Sequence, residues 1–81
     1  MTENEMIEML KNGVCDVEFT KVNRQNRKMR ATLLNEFVEE QGYNVDEIIN
    51  DAPDLVIRVV DVDLNELRSF RVNSVKSFVA E

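Results

Sequence analysis

A chain of 81 residues with 43% apolar and 32% charged residues is one small soluble-type domain, able to bury only about 60% of its unfolded surface. The composition excludes wholesale disorder, and no apolar run approaches a membrane span. One cysteine and no histidine exclude an internal disulfide, a zinc set and a Cys-His nucleophile, and a net charge of −6 denies the molecule any overall attraction for nucleic acid.

The start, Met1-Thr2-Glu3-Asn4-Glu5, lacks the basic opening of a signal peptide, so the expected location is the cytoplasm. Thr2-x-x-Glu5 is a capping-box pattern. Met6, Met9 and Leu10 follow at the spacing of one helix face, which predicts a helix over 3–11 with a left-handed stop at Asn12-Gly13. From Val14 the period changes to two. Cys15, Val17 and Phe19 alternate with Asp16, Glu18 and Thr20, and after a polar reversal around 23–26, Met29, Ala31 and Leu33 alternate with Lys28, Arg30 and Thr32. Residues 14–34 therefore read as a hairpin with a buried Cys15. Pairing the apolar sets (Phe19 with Met29, Val17 with Ala31, Cys15 with Leu33) places Glu18 opposite Arg30.

Lys21, Arg24, Arg27, Lys28 and Arg30 are half of the 10 basic residues, in a window without an acid. Cross-strand ion pairs and charged edges that oppose aggregation account for such a window without a ligand. A local anion site on an acidic body is the functional alternative.

Residues 35–53 read as an acidic helical insertion: Asn35 caps one short helix ended by Gly42, and Asn44-x-x-Glu47 caps another stopped before Pro53. Glu36, Glu39, Glu40, Asp46 and Glu47 are its candidates for contact with a protein partner. Residues 55–79 read as a second hairpin with a closing strand. Leu55 to Val62 is nearly continuous apolar sequence, expected to be covered on both faces, and Asp63-Leu64-Asn65-Glu66 forms the turn. Strand alternation puts Arg68 with Phe70 and Val72, and Arg71 with Leu67 and Ser69 on the other face. Arg58, Arg68 and Arg71 are thus not expected to form one cluster, and the carboxylates of Asp61, Asp63 and Glu66 are available to pair with them. Asp61 and Asp63 sit at the turn, where solvation explains them; no metal set, cofactor or catalytic group is expected.

Leu55-Val56-Ile57, Asp61, and then Arg68-Ser69-Phe70-Arg71-Val72-Asn73-Ser74-Val75 resemble the closing strands of a WYL-type domain. Gly13-Val14-Cys15-Asp16-Val17-Glu18-Phe19-Thr20-Lys21-Val22, Met29-Arg30-Ala31-Thr32-Leu33 and the same ending are similar to a compact family of tailed-phage proteins. Residues 13–34 and 55–78 carry the resemblance. It implies a mainly β fold with short helices, a small SH3-like or Sm-like barrel of about five antiparallel strands. It also implies a non-enzymatic recognition role in a bacterial host, with nucleic acid or a nucleotide as ligand. Lys28, Arg30, Arg58, Arg68 and Arg71 are the candidate ligand-binding residues, and a host or phage protein is the alternative partner. Val60 and Leu67 stand where the WYL-type pattern has tryptophan, and Ser74 where it has a second arginine. Self-association is a further expectation for a small barrel with open edges.

Overall fold

The computed structural model describes residues 1–81. Helix α1 (Glu3–Asn12) begins with the expected capping box, in which the Glu5 amide donates to the Thr2 hydroxyl at 3.2 Å and the Thr2 amide to the Glu5 carboxylate at 2.8 Å. Met6 and Leu10 face the core. The stop differs from the expectation: Gly13 is extended (φ 174°), so the helix runs straight into β1 with no left-handed residue.

Strands β1 (Val14–Thr20) and β2 (Asn26–Thr32) form the first hairpin with Cys15, Val17, Met29 and Ala31 buried. Their register is Val17↔Met29 and Cys15↔Ala31, which sets Glu18 opposite Lys28 and Asp16 opposite Arg30. The reversal lies one residue earlier than expected. Arg24, without glycine to signal it, takes the left-handed conformation (φ 69°) and donates its amide to Lys21 O at 2.9 Å. Moving the centre of a hairpin by one residue moves the pairing by two. Since side chains alternate with a period of two, the buried set is unchanged while every cross-strand partner, apolar and charged, is exchanged.

The acidic segment folds as α2 (Asn35–Glu40) and α3 (Val45–Asp51), which bury Val38 and Ile48. Asn44 caps α3 as expected, accepting from the Glu47 amide at 2.8 Å, whereas Asn35 is the first residue of α2 and does not cap it. Gly42 ends this turn with φ 85°. Strands β3 (Val56–Asp61) and β4 (Glu66–Arg71) form the second hairpin, and a 3-10 turn at Val72–Ser74 leads into β5 (Val75–Ala80).

The strands make one antiparallel sheet in the order β4-β3-β2-β1-β5. β4 and β5 are its two edges and do not pair with each other, so the sheet is open. Within it, β2 and β3 are paired only at Ala31↔Asp61 and Thr32↔Val60 and then diverge. The sheet nevertheless curls. Phe19 on β1 and Phe70 on β4, strands that are not neighbours in the order, stack at 5.7 Å between ring centroids. The inner face holds the core: Leu10, Val17, Leu33, Val38, Ile48 and Val59 are all essentially inaccessible.

On the outer face, Arg30 ties together segments that the ladders leave apart. Its guanidinium donates to the Glu81 carboxylate at 2.6 and 2.9 Å and to Asp63 at 3.0 Å. This guanidinium holds Glu81 down to about 2, whereas Asp16 is raised, first by a hydrogen bond to Glu81 that needs the Asp16 proton, then by loss of solvent, and then by the adjacent negative charge.

The two acids act on stability with opposite sign. Asp16, raised when folded, favours the fold as it becomes protonated and is protonated in both states below its ordinary 3.8. Glu81, depressed when folded, contributes above its ordinary 4.5, and that contribution is lost as pH falls towards about 2. The window from 3.8 down to 2 therefore reports Glu81 together with Glu5, whose carboxylate the Thr2 capping hydrogen bonds also hold below its ordinary value, and the Glu81 share is the part that a substitution there removes. Melting temperature should fall with pH across that window in the native chain, and the fall should be visibly shallower in Glu81→Gln.

Candidate functional site

Where β2 and β3 diverge, the curled sheet opens into a cleft of about 1130 Å³. Its floor is apolar, with Phe19, Met29 and Phe70 buried beneath it. One wall is the end of β1 and its loop, Phe19 to Asn23, and the other is the run Leu67 to Arg71 of β4, with Val56 and Arg58 of β3.

Lys21, Arg27, Arg58, Arg68 and Arg71 line this cleft, five of the chain's ten basic residues, and none of its sixteen acidic residues does. Several like charges in one concavity add their potentials, because the low-dielectric walls keep water from screening them fully.

The five cations are held differently. Arg27 projects to the inner face and donates to Asp61 at 3.0 Å. Asp61 was expected to be solvated at its turn, but its side chain is only 5% exposed and its other oxygen accepts the amides of Asp63 and Leu64, each at 3.1 Å. The position belongs to the inner-facing set of β3, so the carboxylate reaches back beneath the turn instead of out to water. Arg68 pairs with Glu66 of its own strand and also donates to Leu67 O at 2.8 Å. Arg58 lies over the Tyr43 ring at 5.7 Å and makes no ion pair. Arg71 and Lys21 have no ion-pair partner either.

Of the sequence-derived candidates, Arg58, Arg68 and Arg71 are therefore brought together, although alternation does separate the last two onto opposite faces of β4. The separation is real, and it does not divide them, because the cleft runs along the open edge of that strand and both faces border it. Of the expected pairings within the hairpin, only Arg68 with Glu66 forms; Asp61 and Asp63 are taken by Arg27 and Arg30.

Lys28 and Arg30 lie outside the cleft. Lys28 is exposed opposite Glu18, and Arg30 is engaged by Glu81 and Asp63. Lys21 and Arg27 belong to the cleft and were not singled out from sequence. The five-cation window signalled them, and alternation along β2 puts Arg27 on the face of Met29 and Lys28 and Arg30 on the other, but the cleft that Arg27 and Lys21 border comes from the curl of the sheet. On the acidic segment, Glu36, Glu39, Glu40, Asp46 and Glu47 are all exposed and make no ion pair.

Compared with known protein families, curated proteins and solved structures, the chain matches none.

Asp61→Ala should cost about 2 to 4 kcal/mol in urea denaturation, since it removes the acceptor of two turn amides and leaves the half-buried Arg27 unpaired. The paired change Asp61→Ala with Arg27→Met should recover part of that loss.

Proposed function

We propose that this chain is a non-enzymatic recognition module, a small barrel of the SH3-like or Sm-like type, which holds an anionic ligand in the cleft between β1 and β4. The observation that carries the reading is the segregation of charge: half of the basic residues line one concavity in a chain of net charge −6, no acid lines it, and only Arg27 and Arg68 of the five are paired with a carboxylate from outside it. Two of the arginines, Arg58 and Arg71, are without a carboxylate partner, and guanidinium groups bind phosphate and carboxylate in a forked, bidentate way.

Two further observations support the reading. The resemblance of 13–34 and 55–78 to WYL-type and tailed-phage sequences points to a phage accessory or regulatory protein in the host cytoplasm, with nucleic acid or a nucleotide as the phosphate-bearing ligand. The strand order, with a 3-10 turn joining β4 to β5 and β5 returning to β1, suits a sheet rolled towards a barrel. The aromatic surfaces suit backbone contact more than base stacking. Phe19 and Phe70 are buried against each other, and Tyr43 is occupied by Arg58.

Fluorescence anisotropy with a labelled ten-nucleotide single strand and with a labelled nucleoside triphosphate tests this reading. Binding should be present at about 50 mM salt and weaken steeply by about 200 mM. The double variant Arg58→Ala, Arg71→Ala should lose at least about tenfold in affinity and reduce the salt slope for the single strand by about 1.4, while Lys28→Ala leaves both near the native values. Equal binding by the native chain and the double variant would overturn the assignment of the cleft.

A further inference from the structure

The cleft contains a feature that an anion site does not require. Its β4 wall is a strand edge, since β4 pairs with β3 alone, and the consecutive residues Leu67 to Arg71 all border the cavity. In an antiparallel ladder, residues that exchange hydrogen bonds with the partner strand alternate with residues whose backbone groups point away from it. The Val72 amide donates to Leu55 O at 2.9 Å, which fixes the phase. Phe70 and Arg68 then bond to β3, and Leu67, Ser69 and Arg71 turn their backbone groups outward; Arg71 also caps the 3-10 turn at Val72–Ser74, which takes its C=O, so that residue offers the edge its N–H alone.

Two contacts agree with that phase. The Val56 amide, opposite Arg71, donates to Pro53 O at 3.1 Å and not to β4. Leu67 O receives the Arg68 guanidinium at 2.8 Å, as an outward carbonyl does when a side chain covers it.

We propose that the open edge of β4 receives an extended acidic peptide segment of a partner protein, which adds to the sheet as a strand within the cleft. This deepens, and rests on, the reading of the cleft as an anion site. Backbone pairing would supply the common part of the affinity, and the cations would select the sequence. Leu67 to Arg71 is about 17 Å of strand at about 3.4 Å per residue, enough for a five-residue segment. Glu or Asp at alternate positions of that segment would meet Arg58 and Arg71 on one face. Arg68, now covering Leu67 O, would be released to the other.

The chemistry favours a peptide over a nucleic acid at this edge. The edge alternates outward donors with the Ser69 carbonyl, a pattern a peptide strand matches with its own N–H and C=O groups, whereas a phosphodiester backbone offers acceptors alone. It also disfavours a second copy of this chain through its own free edge, because β5 carries Lys76 and no acid. Cations on an edge strand ordinarily discourage pairing with like strands. Here they leave an acidic strand as the one that fits.

The test uses a labelled nine-residue peptide alternating glutamate with valine and threonine, and the same peptide with alternate backbone nitrogens methylated, so that charge is kept and donors are lost. The ten-nucleotide single strand is the third probe. The native chain should bind the unmethylated peptide at about 50 mM salt, and methylation should weaken it by at least about tenfold. Hydrogen exchange at the Ser69 and Arg71 amides should slow by at least about tenfold in the complex. Ser69→Pro, which removes an outward donor from an edge position where proline is tolerated, should weaken the peptide and leave the oligonucleotide unchanged.

Equal binding of the two peptides would overturn strand addition and leave the anion site standing, as would binding of the oligonucleotide alone. Failure of all three probes would remove both readings. A concentration-dependent dimer abolished by Ser69→Pro would assign the edge to a second copy instead.

Discussion

The carboxylate of Asp61 is the point from which the open side of this molecule is organised. It stands at one of the two residue pairs that join β2 to β3, and it is nearly sealed from water. A buried carboxylate must be matched by donors, and this one takes two turn amides and the Arg27 guanidinium. The first two close the β3–β4 turn. The third reaches from β2 across the gap that widens beyond the last paired residues. One side chain thus fixes the turn at one end of the second hairpin and bridges the strands where their ladder stops, which lets the two hairpins part without coming loose.

The distribution of the remaining charges follows from that arrangement. With Asp61 occupied by Arg27 and Asp63 by Arg30, the second hairpin has only Glu66 left to offer its three arginines, and Glu66 takes Arg68. Arg58 and Arg71 are left with none. The basic lining of the cleft is therefore a matter of which acids are already spoken for as much as of where the bases lie. Arg30 reinforces this from the outer face, holding Glu81 and Asp63 in a cluster that lies outside the cleft lining.

How far the sequence reached can be judged at particular residues. The capping box at Thr2 and Glu5, the cap at Asn44, the alternation of β1 and β2 and the burial of Cys15 were all local, and local chemistry was sufficient to find them. The hairpin register was missed by two residues because Arg24 occupies a left-handed position that glycine or asparagine would have announced. The buried set survived that error, since a shift of two preserves faces; the ion pairs did not, since they depend on which residues stand opposite. The five-strand antiparallel sheet was within reach of pattern reasoning. The parting of β2 from β3 was not, because nothing in either strand's alternation says how many of its residues find a partner.

The same distinction explains why the arginines were expected to be apart. Alternation describes the two faces of a strand, and for a strand inside a sheet those faces are separate environments. An edge strand has a third side, the line of backbone groups that no neighbour covers, and a cavity lying along that line touches residues of both parities. Arg68 and Arg71 point opposite ways and border one space because β4 ends the sheet. A sheet that curls enough to stack Phe19 on Phe70, yet stops short of pairing β4 with β5, leaves that edge inside a concavity and not on an open flank. The incomplete closure, more than any single motif, is what turns scattered arginines into a common lining.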